Sequence, residues 1–196
     1  MKEVFVVYIF LMLVIQVGCE VSRHLLRIIV GRYLELYRRG PSAEVVSKLL
    51  FFTLYGEGEP VLRLPERFTI YLKGPFIPVD RLAERCGIDV VRVGDSYYVK
   101  KPGEAAAEGA AALRRMGLGE LAETAMKVVE AYGRKSEEEL AELALKKLGL
   151  EGDVKALAFN VDLDAYLDFR RRLKETLKKT KYTDEVEEFP DLFSNV

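Results

Sequence analysis

Apolar residues recur at helical spacing from Val21 to Arg39, where Leu25, Ile28, Ile29, Tyr33 and Leu36 stand among arginines until the break "RGPS". That pattern predicts an amphipathic helix. Ser42 is placed to cap a second helix, "AEVVSKLLFFTLYG", which is apolar on almost every side and is therefore expected at the centre of the core. Lys48 is the one charge inside its apolar run. "GEGEP" closes that helix, and "VLRLPERFTIYL" reads as an extended or short-stranded connection. After Pro78, "VDRLAERCG" predicts a short helix stopped by Gly87, and "IDVVRVGDSYYVKKPG" alternates on both sides of Gly94-Asp95 as a two-stranded hairpin does.

Three more helical patterns follow, "EAAAEGAAALRRM", "ELAETAMKVVEAYG" and "EEELAELALKKLG". Ala106, Gly109, Ala110 and Leu113 share one face of the first, which suits close helix contact. Ser136 with Glu139 forms a capping box for the third, and Gly149 is its expected C-cap. "LDAYLDFRRRLKETLKKTKY" carries Tyr166, Phe169, Leu173 and Leu177 on one face and Arg171, Lys174, Lys178 and Lys181 on another, and an acidic block, "DEVEEFPDLF", comes next. The fold class expected is mainly α (α+β): a compact helical domain with a small β-hairpin and a charged C-terminal helix. Residues 1–20 form an apolar N-terminal segment, 21–150 the main domain, 151–183 the basic amphipathic helix and 184–196 an acidic flexible tail.

The N-terminal run Val4 to Ile15 is unbroken and apolar, shorter than the roughly 20 residues a spanning helix needs and nearer to a signal-peptide core. Its flanks argue against export, because Lys2 is offset by Glu3 in front while Arg23, Arg27 and Arg32 follow. It reads as a buried or partner-packed element, as a membrane anchor or signal, or as the product of a mis-assigned start near Val21. A membrane partner for the chain depends wholly on that run.

Composition changes the picture in two ways. Lys and Arg number 30 against 31 for Asp and Glu, so there is no global field for nucleic acid or an anionic membrane, and any electrostatic partner must meet a local patch. The richness in Glu, Lys and Arg, with no Trp and few Cys, is one that hyperthermophile proteins often show. Cys19 and Cys86 stand as isolated thiols, with no zinc site and no disulfide framework, as suits a reducing cytoplasm.

No complete catalytic motif appears, and neither a cofactor nor a metal is expected. His24 is the only histidine and lies in an amphipathic helix, where packing is the expected role rather than general-base work. Cys86 ends a short helix without an activating neighbour. Asn160, Asp162, Asp164 and Asp168 crowd a helix start, as capping and the helix dipole favour, without a calcium-loop spacing. "GEGEP" and "GLGE" lack the Lys-Ser or Lys-Thr of a phosphate loop.

The stretch "FTIYLKGPFIPVD" stands out. Gly74 and Pro75 force a sharp corner that holds Tyr71 and Phe76 at its two sides, with Lys73 beside them. Taken in order, the N-terminal helix, "SKLLFF", "FTIYLKGPF", the short helix ending at Gly87, "YYVKKPG" and "SEEELAELALKKL" resemble the Panacea domain family over about Val21 to Leu150. Lys73 stands where that family commonly has Tyr or Trp, and the N-terminal run and the basic C-terminal helix have no counterpart in it. The resemblance implies a non-enzymatic, cytoplasmic interaction domain, an antitoxin or an adaptor that hands a toxin to a protease. It places Lys48, Tyr71, Gly74, Pro75 and Phe76 on the defining helix and knuckle. Tyr71, Lys73 and Phe76 are expected to touch the protein partner, Gly74 and Pro75 to set their geometry, and Lys48 to belong to the same site or to support it. The C-terminal helix could pair two copies of the chain.

A different class is also open. "PVDRLAERCGIDVVRVGDSYYVKKPG" reads as the recognition helix and β-wing of a winged-helix transcriptional regulator, with Arg81, Arg85, Arg92, Lys100 and Lys101 on DNA phosphates. Asp80, Glu84, Asp89 and Asp95 interrupt that positive surface.

Overall fold

The computed structural model describes residues 2–56, 60–152, 156 and 158–179, with side chains from Gln16 to Thr176. The described chain is mainly helical, with a few short antiparallel strands. Helix α1 (Lys2–Tyr37) is followed by α2 (Ala43–Leu54), strands β1 (Thr69–Tyr71) and β2 (Gly74–Phe76), α3 (Val79–Cys86), and strands β3 (Val90–Val93) and β4 (Ser96–Val99). Helices α4 (Pro102–Arg115), α5 (Gly119–Tyr132) and α6 (Glu137–Lys147), the short β5 (Val161–Asp162) and α7 (Leu163–Lys179) complete the order.

Helix α2 holds the centre because it has almost no polar side to turn outward. Every residue from Val45 to Leu54 is buried, and each fully buried Leu or Phe contributes about 1.5–3 kcal/mol. Its start is fixed by Ser42, whose Oγ accepts from the Val45 N–H at 3.3 Å and donates to the Glu137 carboxylate at the head of α6. Helices α1, α5 and α6 pack on α2, α4 packs in turn on α1 and α5, and small residues set how closely the helices approach. A Cβ at Gly109 would lie 2.8 Å from the His24 carbonyl oxygen, so the α1–α4 crossing is as close as backbone allows. Ser136 and Glu139 do form the capping box of α6, each side chain bonding the other's backbone N–H.

The strands form two small sheets. One has the order β2-β1-β5; the other is the hairpin β3-β4, in the register Val90↔Val99 to Val93↔Ser96. The second sheet confirms the hairpin expected around Gly94-Asp95.

Two expectations change. Helix α1 does not begin near Val21 but runs back to Lys2, and its extra turns carry Cys19 to the end of α3. There Cys19 and Cys86 are joined in a disulfide, with Cα atoms 4.9 Å apart. The expectation of two isolated thiols is therefore corrected. It failed because a helix starting at Val21 leaves Cys19 outside the fold, whereas continuous helical geometry places it against α3. The pair no longer argues for a reducing compartment. Arg23, one turn further along α1, donates to the Cys86 carbonyl at 2.9 Å.

Over its described residues no helix is long and apolar enough to cross a membrane. The side chains of the Val4–Ile15 run lie outside that description, and so do the alternatives raised for them. The acidic block Asp184–Phe193 also lies outside the described residues.

Because the disulfide closes a loop of 67 residues, the chain-entropy relation gives it about 4 kcal/mol. The variant Cys19→Ala with Cys86→Ala, or wild type under a reductant, is expected to lose about 2–5 kcal/mol, read as a lower midpoint in guanidinium unfolding. Wild type under the reductant and the double variant should then share one midpoint.

Candidate interaction knuckle

Strands β1 and β2 pair as Thr69↔Phe76, Ile70↔Pro75 and Tyr71↔Gly74, leaving Leu72 and Lys73 as a two-residue turn. Gly74 takes φ +83°, a conformation that glycine reaches without strain. Alternation along β1 sends Ile70 inward, where it is fully buried, and turns Tyr71 outward.

The inner edge of β2 has no further strand, yet it lies against α2, so its backbone polar groups must find partners there. Ser47 and Lys48 supply them. The Ile77 N–H donates to Ser47 Oγ at 2.8 Å, and Lys48 Nζ donates to the Pro75 carbonyl at 3.0 Å and to Glu44 Oε2 at 2.9 Å. Lys48 is only 1% exposed. Burial pulls its ammonium below the usual lysine range, and the Glu44 carboxylate opposes that pull. Lys48 therefore stands under the knuckle and clamps it, and its side chain is not on the surface that a partner would meet. Pro75 and Gly74 are buried too, against α2 and α6.

The outer face is aromatic. Tyr71 meets Phe76 edge to face, with ring centroids 6.3 Å apart and planes at 71°. On its other side Tyr71 meets Phe159 at 5.9 Å and 75°. Phe159 reaches this place because β5 adds to β1, pairing Thr69 with Asp162 and Ile70 with Val161, and the Asn160 N–H donates to the Ile70 carbonyl at 2.7 Å. Tyr71 is 38%, Phe159 52% and Leu72 55% exposed, so two large apolar side chains of the hairpin and a third from the segment before β5 face solvent together. A hollow of about 370 Å³ opens between Leu72, Phe76 and Phe159. A second, of about 540 Å³, lies across Tyr71 and is bounded by Arg67, Pro78, Arg81 and Arg85.

The five basic residues of the alternative site are not equivalent. Arg85 donates to Glu66 at 3.1 Å and to the Pro65 carbonyl at 2.9 Å. Arg92 bonds Asp80 at 2.7 Å, Asp95 at 3.4 Å and the Gly94 carbonyl at 2.9 Å. Lys101 pairs with Glu104 at 2.8 Å. Arg81 and Lys100 have no carboxylate partner among the described residues, and of these two it is Arg81 that borders the knuckle.

Other candidates take quieter places. Burial lowers the His24 pKa, more than Glu20, at 3.7 Å, raises it; the imidazole packs between α1 and its neighbours. Asp162 caps α7, accepting from the Ala165 N–H at 3.0 Å, and Asp164 accepts from the Tyr55 hydroxyl at 2.9 Å. Among the described residues no three His, Cys, Asp or Glu side chains are placed to hold a metal.

Sequence reasoning missed Phe159 and Ser47. Ser47 could have been noticed as the polar neighbour of Lys48 in an apolar helix. Phe159 carried no local signal, because its role depends on strand pairing across some ninety residues of chain. No protein-family model, curated protein or solved structure matches the chain.

Ser47→Ala leaves the Ile77 N–H buried without a partner and is expected to destabilise by about 1–3 kcal/mol. Lys48→Ala orphans the Pro75 carbonyl and opens a cavity, so it should cost more, about 3–5 kcal/mol. Lys48→Met keeps the packed stem and should fall below Lys48→Ala. Urea unfolding ranks the three, and hydrogen exchange at the Ile77 amide should accelerate in Ser47→Ala before the rest of the sheet does.

Proposed function

We propose that the chain is a non-enzymatic protein-interaction domain that grips a protein partner with the knuckle from Tyr71 to Phe76. The observation that carries this reading is a solvent-facing aromatic group, Tyr71 between Phe76 and Phe159, mounted on a hairpin whose backbone is clamped from below by buried Lys48 and Ser47. Aromatics already fixed in place lose little conformational freedom on binding, and such residues are the usual anchors of interfaces. The order of motifs that resembles the Panacea family supports the narrower version, in which the partner is a toxin to be neutralised or presented to a protease. In that version Tyr71, Lys73 and Phe76 touch the partner, while Gly74, Pro75 and Lys48 shape the surface. Phe169 and Leu173, 62% and 47% exposed on one face of α7, supply the surface on which two copies would pair. A cytoplasmic setting stays compatible with the disulfide if the protein comes from a hyperthermophile, whose intracellular proteins are often disulfide-rich.

The winged-helix reading has less to draw on. Three of its five cations are held by the chain's own carboxylates, which leaves fewer charges free to displace counterions from DNA.

Affinity capture from the source cells, with wild type beside Tyr71→Ala/Phe76→Ala, tests the proposal after circular dichroism has shown both proteins folded. One protein held by wild type and reduced at least about tenfold in the variant is expected, since anchor truncations cost about 2 kcal/mol or more. Equal capture would remove the knuckle from the function. If DNA is the main catch and is lost in Lys100→Ala/Lys101→Ala, the regulator reading takes its place.

A further inference from the structure

The hairpin β3-β4 has one covered edge and one open edge. On the β4 side the Tyr97 N–H donates to the Pro41 carbonyl at 2.9 Å, and Ser96 bridges to Ser42. That bond also fixes what the other edge shows. Tyr97 stands opposite Arg92, and with the Tyr97 amide aimed away from β3 the two do not bond each other, so the backbone N–H and C=O of Arg92, and by alternation those of Val90, point away from β4. Among the described residues β3 has no strand on that side.

An open edge is usually guarded by a charge or a proline. Strand β3 reads Val-Val-Arg-Val, and its one charge is turned back into the protein, where Arg92 donates to Asp80 at 2.7 Å, Asp95 at 3.4 Å and the Gly94 carbonyl at 2.9 Å. What faces outward is apolar. Val91 and Val93 are 58% and 63% exposed, and Tyr98, opposite Val91, is 39% exposed, whereas Val90, Tyr97 and Val99 on the other face are buried.

We propose that a second copy of the chain adds at this edge, β3 against β3 and antiparallel, about a two-fold axis at Val91, so that two hairpins make one four-stranded sheet. The contact goes beyond the knuckle reading and does not depend on it, and it is separate from the Phe169–Leu173 face of α7. Residues directly opposite in an antiparallel pair share a face. With the axis at Val91, the outward-pointing backbone groups of Val90 and Arg92 meet those of Arg92 and Val90 in the second copy. The outer face then carries an unbroken apolar row of Tyr98 and Val91 followed by Val91 and Tyr98 of the second copy. Tyr98 is already held in place, with its ring against Gly40.

Charge selects the occupant and its register. Asp89, 3.8 Å from Arg27, comes opposite Val93, and Arg92 comes opposite Val90, so no like charges meet within the strands. Beyond them Asp95 comes level with Gly87, where the end of α3 carries both Glu84 and Arg85. An axis at Arg92 would instead set Arg92 against Arg92 and Asp89 against Asp95, and like charges directly opposite are destabilising. The strand is thus its own complement, as an isologous contact requires. Two strands of four residues bury less than the roughly 1,200 Å² of stable interfaces, so the dimer exchanges with monomer and forms at high protein concentration.

Sedimentation equilibrium of the full chain over a rising concentration series tests the contact, with Val91→Lys and Val91→Glu as variants whose fold is checked by circular dichroism. Wild type is expected to dimerise, and each variant alone to do so at least about tenfold more weakly, because the axis sets each new charge against its own copy. An equimolar mixture of the two variants is expected to regain the dimer, since opposite charges then meet at the axis. The Arg92 amide should exchange more slowly as wild type is concentrated. Wild type that stays monomeric, variants that dimerise as wild type does, or a mixture no better than its components each overturn the proposal. So does a dimer lost in Phe169→Glu/Leu173→Glu but kept in Val91→Lys, which assigns the pairing to α7.

Discussion

A buried ammonium bonded to a proline carbonyl is the contact on which the surface of this protein depends. Lys48 lies in the most apolar helix of the chain, and removing its charge from water costs several kcal/mol unless its protons are taken up. Glu44 on the same helix and the Pro75 carbonyl take them up. Pro75 cannot donate and has no strand on its inner side, so its carbonyl needs a donor from the core. The two requirements satisfy each other in one geometry. With Ser47 receiving the Ile77 N–H one residue away, the register of β2 on α2 is fixed, and a one-residue slip would break both bonds and turn Phe76 to the other face.

What lies outside that clamp follows from strand alternation. Because Ile70 and Ile77 point in and are fully buried, Tyr71 and Phe76 have to point out, and the two-residue turn lifts Leu72 beside them. Strand β5 then brings Phe159 to the same face. Below it, α3 leaves the knuckle at Pro78 and ends at Cys86, where the disulfide ties it to α1. The hairpin is thus held from α2 on one side and, through α3, from α1 on the other. A surface restrained in this way presents its rings without an ordering cost at the moment of contact.

Much of this was legible locally. The all-round apolar character of α2, the capping box at Ser136 and the Gly94-Asp95 hairpin are decided by neighbours within a few residues, and each stands where the sequence places it. The corner expected at Gly74-Pro75 stands instead at Leu72-Lys73, because Gly74 and Pro75 are already paired with Tyr71 and Ile70 in β2. What was not legible is non-local. Cys19 finds Cys86 only if α1 extends beyond its amphipathic part; Phe159 finds Tyr71 only through a strand of two residues that no periodicity can announce; Arg85 is paired with Glu66, nineteen positions away. Lys48 shows the difference within one residue. Its burial was readable from the helix around it, but its purpose was not, because the carbonyl it serves lies twenty-seven residues further along.

Charge pairing also bears on what the knuckle can recognise. With 30 basic and 31 acidic residues, attraction at a distance averages to nearly nothing, and most of the cations near α3 are spent on internal partners. Arg85 fastens the loop at Pro65 to α3, and Arg92 fastens the β3-β4 hairpin to Asp80 of α3. Arg81, one turn before Arg85 on α3, is left facing the aromatic hollow. An isolated cation beside exposed rings steers little, yet at close range it discriminates, because a carboxylate placed there gains a partner while a second cation would be held against it in a partly desolvated site. On the proposed reading of the knuckle as a partner site, the apolar anchors would supply the affinity and Arg81 the choice of partner, which favours short acidic segments with a large apolar side chain over highly charged polymers.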